Sequence, residues 1–170
     1  MGWPGAFLGS IPFDAMSDPV DTVVRALRAL DATGEVVRFD TEVPTAAAAA
    51  AVLKCEVGAI ANSLVFAAGS DPVLVITSGA HRVDTTRVAG LLGVPKLKRA
   101  TPEFVLAATG QAIGGVAPVG HPQPVRTVVD TWLGKYDVVW AGAGDHHHMF
   151  ATTFDELLAM TDGVAAEVGD

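Results

Sequence analysis

Two short apolar runs, residues 64–68 and 73–77, are separated only by Gly69-Ser70-Asp71-Pro72, and this arrangement constrains the chain more than any other feature. Strands of that kind joined by a turn of about four residues fold most simply as an antiparallel hairpin. Helical signals lie on both sides of it. Ser17-Asp18-Pro19 places a capping side chain and a proline where a helix begins, and Val20, Val23, Val24, Leu27 and Leu30 recur at helical spacing up to Gly34. A short strand is expected at 36–39, then a helix over the alanine run 46–51, whose small side chains let it sit close to a sheet. Packing alone accounts for that run.

Beyond the hairpin, Thr85–Leu92 reads as a helix ended by Gly93, followed by a short strand around Leu97. Thr101-Pro102-Glu103 supplies a cap and a first-position proline for a helix that stops before Gly110. Further strands are expected at 125–130, 138–141 and 148–152, and a last helix opens at Thr153-Phe154-Asp155-Glu156 and runs through Met160. Hairpins and helical crossovers in one chain imply the α/β class with a mixed sheet. The 170 residues fit one domain, 1–170. Residues 1–16, rich in Gly and Pro, are expected to form an irregular extension whose Trp3, Phe7, Leu8, Ile11 and Phe13 either cover the sheet or mediate self-association.

Half the residues are apolar and 18% are charged, against about 25% in ordinary domains, which argues for a buried core and against disorder. The longest apolar stretches, such as 45–53 and 64–68, fall short of the roughly 20 residues that cross a bilayer. No basic residue precedes Arg25 and no sustained apolar run opens the chain, an outline unlike a secretory signal. Cys55 is the only cysteine, so no internal disulfide can form. A cytoplasmic location is the expectation. The net charge of −8 discourages nucleic-acid binding, but the charge is segregated. Arg82, Arg87, Lys96, Lys98 and Arg99 cluster against Asp84 alone, whereas Asp and Glu are the only ionised residues after Lys135. That basic segment is either an RNA contact or a solvated helix and strand edge.

Gly114-Gly115-Val116-Ala117-Pro118-Val119-Gly120-His121-Pro122 combines paired glycines, which let a backbone approach a ligand and present N–H groups, with prolines that stiffen the loop. Fixed backbone donors suit the negative charge that develops on an ester oxygen under attack. A plain glycine-rich turn is the alternative. In Gly142-Ala143-Gly144-Asp145-His146-His147-His148 the three histidines alternate faces if extended, so one metal ion would need further ligands, with Cys55 and His121 the other candidates. His147 alone as a polar substrate-site residue is the simpler reading. Phosphate-loop and dinucleotide fingerprints are absent, Gly-Xaa-Ser-Xaa-Gly is absent, and Ser63 has no base adjacent in sequence. A covalent mechanism is therefore not expected.

Ile60-Ala61-Asn62-Ser63-Leu64-Val65-Phe66, the strand 73–77 with Ser78-Gly79-Ala80-His81-Arg82-Val83-Asp84, Ala100-Thr101-Pro102-Glu103, the 114–121 loop and the segment 142–150 stand in an order and spacing that resemble the YbaK and prolyl-tRNA-synthetase editing-domain family. The resemblance covers roughly residues 35–163. It implies a strongly curved mixed sheet surrounded by helices and a free-standing deacylase. Such an enzyme hydrolyses the ester of a mischarged tRNA, of the tRNA(Pro) type, with no metal, cofactor or enzyme nucleophile. Carried over residue by residue, it places Asn62, Gly114, Gly115 and His121 in catalytic roles. Ser63, His81, Asp84, Pro118, Gly120, Gly144 and His147 fall at substrate-binding positions. The implied partner is the acceptor end of an aminoacyl-tRNA, met by Arg82, Arg87, Lys96, Lys98 and Arg99, and the protein is expected as a monomer or homodimer. One departure stands out: the family's lysine falls on Asn62, which hydrogen-bonds but carries no charge. Either the amide holds the substrate by neutral hydrogen bonds or the domain binds without hydrolysing. A metal-dependent hydrolase built on His146–His148 is a third reading.

Overall fold

The computed structural model describes residues 18–170. The irregular extension expected from sequence, with its apolar side chains, and Ser17 lie outside these residues. Within the expected Ser17-Asp18-Pro19 start, helix α1 (Pro19–Ala29) is capped by Asp18, whose carboxylate accepts from the amides of Val20 and Asp21, with Pro19 in the first turn. Its apolar stripe buries Val23 and Leu27, each such burial stabilising the fold by about 1.5–3 kcal/mol.

The chain continues as β1 (Val36–Arg38), α2 (Ala46–Leu53), a 3-10 turn (Val57–Ala59), β2 (Ile60–Ala68), β3 (Asp71–Ser78), α3 (Thr85–Leu92), β4 (Lys98–Arg99) and α4 (Pro102–Thr109). After these come β5 (Arg126–Asp130), a second 3-10 turn (Thr131–Lys135), β6 (Val139–Gly142), β7 (His148–Thr152), α5 (Phe154–Thr161) and β8 (Val164–Ala166). The strands form one mixed sheet in the order β1-β7-β6-β2-β3-β5-β8, with β4 attached to β2. The central hairpin is antiparallel, and its register from Ala61 opposite Ser78 to Ala68 opposite Asp71 leaves only Gly69-Ser70 as the turn. Gly69 takes φ +64° there, which suits glycine. Asp71 and Pro72 join β3 rather than the turn, and Pro72 sits before pairing with β5 begins at Val73, where no ladder bond requires its missing N–H. Parallel pairs β3–β5, β5–β8 and β2–β6 supply the crossovers.

The side-chain alternation of β2 divides the core. Ala61 and Val65 join the cluster under α1, α4 and α5, built with Val23, Leu27, Val105, Phe150 and Leu157. On the other face Ile60 packs with Ala49 and Ala50 of α2, while Phe66 packs with Val88, Ala89 and Leu92 of α3. The edges of β2 are uneven. β3 lines one side throughout, but on the other β6 pairs only at Ile60–Ala61 and β4 only at Phe66–Ala67. Among the described residues, 62–65 therefore have a strand neighbour on one side alone, and the cleft described next begins at that interruption.

Candidate active site

Three parts of the chain meet at the interruption. The first is the start of β2, Ile60 to Ser63; the second is the N-terminal end of α2 with its approach, Val43 to Ala46 and Ala49; the third comprises Gly114 and Val116 with Gly142, Asp145, His148 and Met149. They line an open cleft with about 30 Å³ of water-accessible space. Its walls are mostly small or apolar, so the few polar groups are conspicuous. Thr45 caps α2 by accepting from the amide of Ala48, which leaves the helix's positive end at the cleft.

His148 is oriented by Asp145. Its Nδ1 lies 2.7 Å from Asp145 Oδ1, and the same oxygen accepts from the backbone N–H of His147 at 2.8 Å. Burial raises the Asp145 carboxyl's affinity for a proton. The hydrogen bonds from His148 and from the His147 amide outweigh that effect and hold the group below its ordinary value. An ionised Asp145 accepts only, so Nδ1 of His148 is the nitrogen that donates to it, which leaves Nε2 as the ring atom placed for proton transfer.

Asn62 is half-buried on the cleft wall, and among the described residues its side-chain amide has no hydrogen-bond partner. Neighbouring Ser63 is 9% exposed, and its Oγ is likewise unpartnered. In the glycine loop the Gly115 amide is spent on Ala112 O (3.0 Å) and the Ala117 amide on Gln111 Oε1, whereas the amides of Gly114 and Val116 meet no acceptor among the described residues.

The paired glycines are required by close approach. A Cβ on Gly115 would stand 2.7–3.0 Å from the Asp145 backbone, and the Gly115 carbonyl accepts from the Gly144 amide at 2.9 Å. Gly115 thus acts as a packing surface for the segment that carries Asp145. Gly114, at φ +89°, lines the cleft itself. Gly144, at φ +112°, faces the backbone of Pro19 and Val20. Gln111, 1% exposed, braces the loop from inside by also donating to Val119 O.

Of the residues singled out from sequence, Asn62, Ser63 and Gly114 line the cleft, with Gly115 directly behind it. The others lie elsewhere. His121 bonds its Nε2 to Ala117 O at 2.9 Å, and burial, only partly offset by that bond, lowers its affinity for a proton. Pro118 is buried, and Gly120 packs on Val23 and Gln111. Asp84 caps α3 by accepting from the Arg87 amide. His81 pairs with Asp130 at 2.8 Å and lies tilted against Trp132, with ring centres 4.8 Å apart. His147 points Nδ1 to Phe39 O and His146 points Nε2 to Ile113 O, so the three consecutive rings engage three different acceptors. Among the described residues no three His, Cys, Asp or Glu side chains are grouped to hold a metal ion.

Sequence reasoning missed Asp145 and gave His148 no separate role. The signal was present: an Asp two residues before a backbone amide it can accept from, and three before an imidazole.

Residues 40–160 match the family described as the aminoacyl-tRNA editing domain. A proline–tRNA ligase of Levilactobacillus brevis is 32% identical over 98 residues, 57% of this chain but 17% of the ligase, so the chain spans about a sixth of that relative's length. The uncharacterised protein YwhH of Bacillus subtilis is 29% identical over 72% of this chain and 78% of its own. Among solved structures, one described as a candidate trans-editing enzyme for prolyl tRNA synthetase superposes with a TM-score of 0.83, at 38% identity over 91% of this chain and 98% of the other. A hypothetical protein superposes at 0.81 with 27% identity, covering 88% of this chain and 99% of that one. With its fold and more than two thirds of its length in agreement, this chain belongs to the aminoacyl-tRNA editing domain family.

Proposed function

We propose that the protein is a trans-acting aminoacyl-tRNA deacylase that hydrolyses the ester joining a wrong amino acid to the terminal ribose of a tRNA of the tRNA(Pro) type. The observation that carries this reading is the Asp145–His148 pair facing an otherwise unspent set of donors in one cleft. His148 Nε2 takes a proton from a water as the water's oxygen bonds to the ester carbonyl carbon. Charge gathers on the carbonyl oxygen, where the Asn62 amide and the free N–H groups of Gly114 and Val116 can receive it. As the tetrahedral intermediate collapses, the bond to the ribose oxygen breaks and the imidazolium returns its proton to that oxygen. The products are a free amino acid and an intact tRNA. Ser63 Oγ touches no base, so no acyl-enzyme is formed.

The proline-type tRNA is supported by the named activities of the relatives, proline–tRNA ligases and a candidate prolyl trans-editing enzyme. The small cleft with its alanine wall suits a small amino-acid side chain. The reaction belongs in the cytoplasm, where charged tRNA circulates; no described helix is long and apolar enough to cross a membrane.

One observation favours a second reading, binding without hydrolysis: the uncharged Asn62 stands at the family's lysine position. Release of amino acid from a panel of mischarged tRNAs by wild type beside Asn62→Lys separates the two. Wild-type turnover on at least one tRNA supports the deacylase. Binding without turnover in the wild type, with activity gained in Asn62→Lys, supports the binding module.

A further inference from the structure

We propose that His146 is a positioning residue: its ring fixes the Ile113–Gly114 peptide so that the Gly114 N–H is presented to the cleft. The use of that N–H in catalysis rests on the deacylase reading; the geometry stands apart from it. Residues 112–115 form a β-turn closed by the Gly115 amide, which donates to Ala112 O at 3.0 Å. Gly114 is the third residue of the turn, at φ +89°, and Ile113, the second, is not at positive φ. That combination is a type II turn. A type I turn keeps the same closing hydrogen bond and differs by a half-rotation of its central peptide, here the one joining Ile113 to Gly114. Glycine takes either sign of φ about equally readily, so the backbone at Gly114 does not choose between the two.

His146 supplies the choice. Its Nε2 lies 3.1 Å from Ile113 O, and because a carbonyl oxygen only accepts, Nε2 carries the hydrogen. The C=O and N–H of a trans peptide point in opposite directions, so a carbonyl held by His146 turns the Gly114 N–H away from that ring. Among the described residues Gly114 borders the cleft and His146 does not, so the direction away from the ring is the direction of the cleft. The next peptide is held in the same manner. Gly115 O accepts from the Gly144 amide at 2.9 Å, and the N–H of that peptide belongs to Val116, the other amide without an acceptor among the described residues. Gly144 and His146 flank Asp145, which orients His148. One run of three residues thereby sets both donors and the imidazole in a common frame. In the flipped turn the Ile113 oxygen takes the place of the Gly114 N–H and repels the charge that an ester oxygen gathers under attack.

Two variants separate the hydrogen bond from the packing of the ring. His146→Phe keeps a ring beside Gly114 and loses the donor, whereas His146→Gln loses the ring and keeps an N–H donor. The turn is read by NMR on the isotope-labelled full chain. In a type II turn the Gly114 amide proton lies close to the Ile113 Hα and gives a strong NOE; in a type I turn it lies close to the Ile113 amide proton instead. Wild type and His146→Gln should give the type II pattern, and His146→Phe a mixture of the two. His146→Ala, without ring or donor, should match His146→Phe and gives the same reading if the larger ring is not accommodated. One hydrogen bond of ordinary worth shifts such an equilibrium by about 10-fold. The kcat for release of amino acid should therefore fall by as much in His146→Phe, with KM little changed because an oxyanion donor acts in the transition state. His146→Gln should recover most of the rate. A type II pattern undiminished in His146→Phe and His146→Ala, an unchanged kcat despite a flipped turn, or a defect in His146→Gln that His146→Phe lacks overturns the proposal. A flipped turn in His146→Phe together with no turnover by wild type on any tRNA would withdraw the deacylase reading and leave the orienting role of His146 standing.

Discussion

Two carboxylate–imidazole pairs of nearly equal length occur among the described residues, and their surroundings differ. Asp130 and His81 meet at 2.8 Å, Asp145 and His148 at 2.7 Å. Asp130 is 1% exposed, and both of its oxygens are engaged: Oδ2 takes the Ser78 amide and the Thr77 hydroxyl as well as His81, and Oδ1 takes the Trp132 amide. The His81 ring is then held against Trp132, whose indole also lies beneath Lys135 Nζ at 3.6 Å. That pair ties the β3–α3 loop to the end of β5 and is a structural clasp. The Asp145 carboxylate is 44% exposed, and its partner ring borders a cleft with unspent donors. The identity of a residue pair thus says little about its chemistry. What decides it is whether the second ring nitrogen faces a space that can receive substrate.

The sharpest way to break this contrast is to remove each imidazole. His148→Ala should lower kcat/KM for deacylation by about 10²- to 10⁴-fold, the usual worth of a general base, without loss of fold by circular dichroism. His81→Ala should leave the rate close to wild type. Asn62→Ala should cost about 10²- to 10³-fold in kcat, as removal of one oxyanion donor does. Gly115→Val forces a Cβ into the Asp145 backbone and should reduce the rate about 10²-fold through misplacement of that segment, with a loss of about 1–3 kcal/mol in urea unfolding. Asp130→Ala reverses the pattern. It leaves the buried Ser78 amide unpaired and should destabilise by at least about 1 kcal/mol while the folded protein keeps its rate.

The smallest expected effect concerns acid stability. Asp145 has its proton affinity depressed in the fold, so its pairing stabilises the protein above the ordinary carboxylate range. That contribution is lost as pH falls through the range near about 4 and below. Asp145→Asn should therefore lower the unfolding midpoint slightly at neutral pH, leave its acid end little changed, and so flatten the fall between them.

Much of the fold was legible because its punctuation is local. The helix expected at Thr85–Leu92 has those bounds, closed by Gly93 at φ +70°, and α4 follows its Thr101 cap, first-position Pro102 and terminal Gly110. The hairpin was legible from its apolar runs, but its true length was not. The first residues of β2 include Asn62 and Ser63, which serve the cleft and break the apolar signal. β8, three residues with Val164 58% exposed, has neither alternation nor length to mark it. The site divided in the same way. Glycines that require positive φ or close approach advertise a loop, which is how Gly114 and Gly115 were found. The partners of Asp145 are local, two and three residues on, but that they border the cleft is a tertiary fact, and Gln111 carries no mark in sequence of the loop it braces.

Single-turnover release of labelled amino acid from mischarged tRNA(Pro), wild type beside His148→Ala, tests the central claim most directly. The account predicts rapid release by the wild type and a loss of two orders of magnitude or more in the variant, about the least expected of a lost general base. Equal release by both proteins, or none by the wild type while it still binds the tRNA, would contradict it.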